Sequence, residues 1–106
     1  MCMATDERVA HITQMEEALE VALGANQRLR LAVEGQSAAL AQLEAISDYY
    51  GSPEWYEDRE ADERGELPDD LSRAVLGEDL AYDLLVDARE TALQAIEVAT
   101  ALLRVL

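Results

Sequence analysis

Apolar positions recur along the first part of the chain in steps of three and four. Ile12, Met15, Leu19, Ala22, Leu29, Val33, Leu40, Leu43 and Tyr50 fall on one stripe, interrupted by Asn26, Gln36 and Ser47. Alternating three and four is a heptad pattern, which places the stripe on one face of a helix. Leu23 and Ile46 widen that face beyond a narrow seam. Thr5 is the expected N-cap, with Asp6 and Glu7 favourable in the first turn. A second helical stripe follows Gly77, carried by Ala81, Leu84, Leu85, Ala88, Ala92, Ile96, Ala99, Leu103 and Leu106. Gly77 would cap that helix more weakly than a serine would.

The two arms, residues 5–48 and 78–104, differ in length. At 1.5 Å per residue they would span roughly 65 Å and roughly 40 Å. A simple hairpin leaves part of the longer stripe in water. Either the first arm breaks near Gly24, or its overhang is buried in a homodimer through that arm. An internal glycine costs only about 1 kcal/mol, so Gly24 permits a break without compelling one. The unbroken heptad phase across Gly24 speaks for one continuous helix. The break is slightly favoured, because it buries the stripe within one chain. The expected fold is therefore all-α: a small antiparallel helical bundle forming one domain over residues 1–106.

Between the arms, residues 49–77 change character. Gly51-Ser52-Pro53 interrupts the helix, with Ser52 able to cap a short helix that has Pro53 at its first position. Gly65 fits the stop of that helix, and Pro68-Asp69-Asp70-Leu71 reads as the first turn of another. A structureless connection this long is unusual in a compact domain. Tyr49, Tyr50, Trp55, Leu67, Leu71, Val75 and Leu76 can anchor it, so an ordered cap over one end of the helices is expected.

Charge sharpens this division. The 106 residues carry a formal net charge of −15, and all eight basic residues are arginines. Residues 48–83 hold thirteen acids and three arginines, so −10 lies in about a third of the chain. All five aromatics and both prolines lie there too. Direct nucleic-acid binding is not expected, because it relies on basic side chains neutralising phosphates. An anionic membrane surface is unfavourable for the same reason. No apolar run approaches the ~18 residues of a membrane span. Met1 to Ala4 lead straight into Thr5-Asp6-Glu7-Arg8 without an apolar leader region. The lone Cys2, in an N-terminus expected to fray, can form neither a disulfide framework nor a cysteine zinc site. A cytoplasmic location is the expectation.

The middle segment also carries a resemblance. Tyr49, Tyr50, Ser52, Trp55, Asp58, Glu60, Asp62, Glu63, Gly65, Leu67, Pro68, Asp70, Leu71, Arg73, Val75, Leu76, Glu78, Asp79 and Tyr82 fall in one pattern. It resembles the bacterial domain-of-unknown-function family 4298. The resemblance implies a short, mostly helical, cytoplasmic protein with no established activity or ligand. Gly77 stands where that family usually shows serine.

Candidate chemistry is sparse. Asp58, Glu60 and Asp62 alternate like the start of a calcium loop. Glu63 then occupies the place of the turn glycine and Asp69 that of the final glutamate, so the pattern fails. A solvated acidic face is the simpler account, and no metal or cofactor is expected. His11 is the sole histidine and is far in sequence from the acids. No nucleophile–base set or phosphate loop can be assembled, so an enzyme is not expected. Trp55 and Tyr50 could meet a basic partner through cation–π contact, or pack the cap onto the helices; packing is favoured for Trp55.

The leading expectation is a non-enzymatic interaction module that docks a basic protein surface. Its candidate binding residues are Tyr49, Tyr50, Trp55, Asp58, Glu60, Asp62, Glu63, Leu67, Pro68 and Asp70. A nucleic-acid mimic that blocks a basic protein is the first alternative. A carboxylate-based divalent-metal protein or enzyme is the second.

Overall fold

The computed structural model describes residues 5–106. The expectation for Cys2 lies outside the described residues. Among the described residues three α-helices form: α1 (Asp6–Tyr49), α2 (Pro53–Glu63) and α3 (Glu78–Val105), with a 3-10 turn at Ala74–Leu76 before α3. There is no strand among the described residues. The all-α expectation therefore holds. The chain divides into two units, the first ending at Leu40 and the second being Ala41–Leu106.

In the first unit α1 starts where the sequence placed its cap. The Arg8 backbone N–H donates to the Thr5 hydroxyl at 3.1 Å, satisfying one of the free donors of the first turn. The expected break near Gly24 does not occur, and the helix runs unbroken through both Gly24 and Gly35. Each glycine costs the helix about 1 kcal/mol, too little to end it without a competing turn signal. No proline, and no cluster of turn residues, stands beside either.

No residue of α1 is buried. Leu19 is 53% exposed and Leu23 63%, with Ile12, Met15, Leu29, Val33 and Leu40 alike in water. On α3, Leu84, Ile96 and Leu103 are exposed too. The bundle core expected from stripes covering each other within one chain is therefore not found. A heptad stripe can be covered by another chain as well as by its own, so the pattern does not demand a core within one chain.

Among the described residues the buried apolar ones are Trp55, Leu76 and Ala81, all in the second unit. The end of α1 turns at Gly51, whose φ of +77° only glycine adopts freely. Ser52 then caps α2, with Pro53 at its first position as expected: the Trp55 backbone N–H donates to the Ser52 hydroxyl at 3.2 Å. The far end of α2 closes at Gly65, at φ +70°. The Gly65 N–H donates to the Asp62 carbonyl and the Glu66 N–H to the Ala61 carbonyl, both at 3.0 Å. That pair of bonds is a Schellman motif.

Pro68-Asp69-Asp70-Leu71 does not begin a helix, contrary to expectation. It is a single turn, closed by the Leu71 N–H on the Pro68 carbonyl at 3.2 Å. The carbonyls that a helix would use are taken by Arg73, whose guanidinium donates to Pro68 at 3.1 Å, Asp69 at 3.4 Å and Leu71 at 3.4 Å. The short helical turn forms one step later, at Ala74–Leu76, and packs against both α2 and α3. Gly77 then caps α3 without a side-chain bond, as its lack of a hydroxyl requires.

Candidate functional site

Trp55 organises the acidic segment. Its position on the first turn of α2 aims the ring inward, and it is 2% exposed. The indole N–H donates to the Val75 carbonyl at 2.9 Å, tying α2 to the 3-10 turn. Tyr50 lies tilted against the ring at 4.8 Å and Tyr56 edge-on at 5.0 Å. The Arg59 guanidinium stands 4.7 Å over it, a cation–π contact. Tyr50 also reaches α3: its hydroxyl donates to the Glu78 carbonyl at 3.3 Å, and its ring is 6.4 Å from that of Tyr82. Trp55 and Tyr50 are thus committed to holding the segment together, which leaves Trp55 no face for a partner.

The candidate carboxylates fall into two groups. Some are engaged. Asp58 accepts a hydrogen bond from the Tyr49 hydroxyl. Burial, then the hydrogen bond and charge of Asp58, push the Tyr49 phenol up to about 12. Asp62 pairs with Arg73 at 2.5 Å, both side chains being about one-third exposed. Glu60 approaches Arg64 at 3.8 Å, and Glu66 holds the same guanidinium at 2.8 Å. That contact raises the Arg64 pKa and lowers that of Glu66, though both are exposed and the pair adds little stability. Arg59 pairs with Glu78 at 3.0 Å.

The others are free. Glu54, Glu57, Glu63, Asp69 and Asp70 are exposed, and none takes part in an ion pair among the described residues. The three arginines of the segment, Arg59, Arg64 and Arg73, are each bound to a carboxylate of the segment itself. Its internal cations are therefore used up while acids remain.

Of the apolar candidates, Leu67 is half-buried and Pro68 exposed. Leu67, Leu71, Val75 and Leu76 line an open notch of about 270 Å³ together with Tyr49, Asp58 and Ser72. No three carboxylate, histidine or cysteine groups converge on a common point among the described residues. Asp58 and Asp62 face Tyr49 and Arg73 instead. Among the described residues, no helix is long and apolar enough to cross a membrane.

Sequence reasoning did not single out Arg73 as an organiser, yet it makes three hydrogen bonds to the turn that precedes it and a fourth to Asp62 on α2. Its place in the Leu-Pro-x-Asp-Leu-x-Arg run was the available signal.

The family model for the domain of unknown function DUF4298 matches residues 12–98. The chain belongs to that family. The match takes in most of α1 and α3 as well as the segment that carries the residue pattern, so the arms are part of the DUF4298 domain and not additions to it. Neither the curated proteins nor the solved structures gave a match.

Proposed function

We propose that this DUF4298 protein is a non-enzymatic interaction module whose acidic segment, residues 48–83, docks a basic surface on another protein. The observation that carries the reading is the division of charge just described. Arg59, Arg64 and Arg73 are all spent on internal carboxylates. Glu54, Glu57, Glu63, Asp69 and Asp70 stay exposed and unpaired among the described residues. A surface of one sign steers a partner of the other sign and rejects like-charged competitors. The apolar notch beside Asp58 adds a place where the aliphatic stem of a lysine or arginine can lie.

Under this reading the candidate residues divide by role. Trp55, Tyr50 and Tyr49 hold the surface in shape, with Asp58 bound to Tyr49 and Asp62 to Arg73. Glu63, Asp70 and their free neighbours make the contact, and Leu67 and Pro68 border the notch.

The test is affinity capture from the native cell at low and raised salt, with the intact chain and a charge-reversed variant. Glu57→Lys, Glu63→Lys and Asp70→Lys together leave every internal ion pair in place. A specific partner that is lost on charge reversal and weakened by salt supports the proposal. A partner retained equally by the reversed variant overturns it.

A further inference from the structure

The first unit is a helix without a core. Helices gain most of their stability from packing an apolar face, yet no α1 residue is buried while Ile12, Met15, Leu19, Leu23, Leu29 and Val33 stand in water. A second copy of the same helix can cover this face only if its flanking positions agree with one another.

Those positions select an arrangement. With Ile12, Leu19, Asn26 and Val33 as the first core position of each heptad and Met15, Ala22, Leu29 and Gln36 as the second, the flanking residues follow. One flank carries Glu16, Leu23 and Arg30, and the other Ala18, Ala25 and Ala32. In an antiparallel pair each flank meets the same flank of its partner. One register sets Leu19 opposite Leu29 of the partner subunit and Met15 opposite Val33 of the partner subunit. In that register Glu16 meets Arg30 of the partner subunit, twice by symmetry, and Leu23 meets Leu23 of the partner subunit on the two-fold axis. Across the other flank only alanines meet, which lets the backbones approach closely. Asn26 falls opposite the small Ala22 of the partner subunit.

Neighbouring registers lose this match. A slip of one heptad sets Leu23 against Glu16 in one direction and against Arg30 in the other. A parallel pair sets Arg30 against Ala25. It also brings the two acidic segments, −10 each, to the same end of the dimer. The antiparallel pair carries them at opposite ends.

We propose that the chain forms an antiparallel homodimer through the exposed stripe of α1, in the register fixed by Glu16 and Arg30 with Leu23 on the axis. The interface lies within residues 12–36, a stretch of chain separate from the acidic segment. Gly24 and Gly35 fall outside the seam, so neither interrupts it.

Sedimentation equilibrium on the intact chain gives the first readout: a mass twice the 11.7 kDa of one chain is expected, and a monomer at micromolar concentration overturns the proposal. Orientation is read by disulfide trapping in a Cys2→Ser background. Leu23→Cys should oxidise to a covalent dimer. Val33→Cys should not, because the two copies of residue 33 would lie about 27 Å apart at 1.5 Å per residue. Trapping at Val33→Cys overturns the antiparallel register, whatever happens at Leu23→Cys. Absence of trapping at Leu23→Cys overturns it as well. Charge exchange gives a readout that does not depend on a new cysteine. Glu16→Arg alone should weaken the dimer at least tenfold, and adding Arg30→Glu should restore it. A double variant no tighter than the single one overturns the proposed pairing.

Discussion

The Trp55 indole N–H donates to the Val75 carbonyl at 2.9 Å across twenty residues of chain, joining α2 to the 3-10 turn ahead of α3. The ring itself is almost wholly buried against Tyr50, Tyr56 and Arg59. Trp55→Ala should therefore cost the second unit about 3–5 kcal/mol, the usual loss for emptying a large aromatic site. In a small domain that is most of the available stability. Trp55→Phe retains most of the packing and loses the hydrogen bond, for about 1 kcal/mol. Urea denaturation followed by circular dichroism separates the two. Equal midpoints for the two variants would remove Trp55 as the anchor.

Arg73 closes the loop that follows α2. One guanidinium spans Asp62 and the carbonyls of Pro68, Asp69 and Leu71, a planar fork that lysine cannot reproduce. Arg73→Ala and Arg73→Lys should both speed amide hydrogen exchange at Gly65, Glu66 and Leu71 relative to the middle of α3. Because the ion pair is partly exposed, the stability loss should be modest, about 1–2 kcal/mol. Unchanged exchange in Arg73→Lys would mean that charge alone holds the loop.

Local chemistry was the most legible part of the fold. Thr5, Ser52-Pro53 and Gly65 each satisfy backbone groups within a few residues of themselves, so their roles can be read in short windows of sequence. Long-range partners were not legible in the same way. The Val75 carbonyl that receives Trp55 carries no sequence signal, because any residue has a carbonyl. The turn at Pro68 reads as a helix start in the sequence because its decisive partner, Arg73, acts through a side chain and not through a turn residue. A break near Gly24 follows only where one chain must bury its own stripe. The helix follows its local propensity and heptad phase instead. In the acidic segment the sequence located the charge, but only the geometry separates Asp58 and Asp62, which are engaged, from Glu63 and Asp70, which are free.

Tyr49 supplies a pH signature for the same region. Its phenol lies beside the Asp58 carboxylate and is raised from 10.0 to about 12 by burial and by that neighbour. A group whose folded pKa lies above its unfolded value stabilises the fold fully below the unfolded value. Stability should therefore be intact below pH 10 and fall as pH rises from 10 through 12. Tyrosinate absorbance should show a late step near pH 12, and Tyr49→Phe should abolish it. The Phe variant should also lose part of the stability difference between pH 9 and pH 12. A late step that survives Tyr49→Phe would assign the perturbation elsewhere.

Gly35 offers a gain of stability in α1. A Cβ added there would meet nothing within 4 Å, and the position is exposed on a helix that runs on for a further fourteen residues to Tyr49. Gly35→Ala should stabilise the helix by about 1 kcal/mol, the difference in propensity between the two residues. At Gly24 a Cβ would stand 3.3 Å from the Arg28 guanidinium, the far end of a flexible side chain that can move aside. Gly24→Ala should thus give a similar but smaller gain. Thermal melts followed at 222 nm, where helix signal dominates, test both. A lower midpoint for Gly35→Ala would show that the glycine serves a close approach on the outer face of α1, since propensity alone requires a rise.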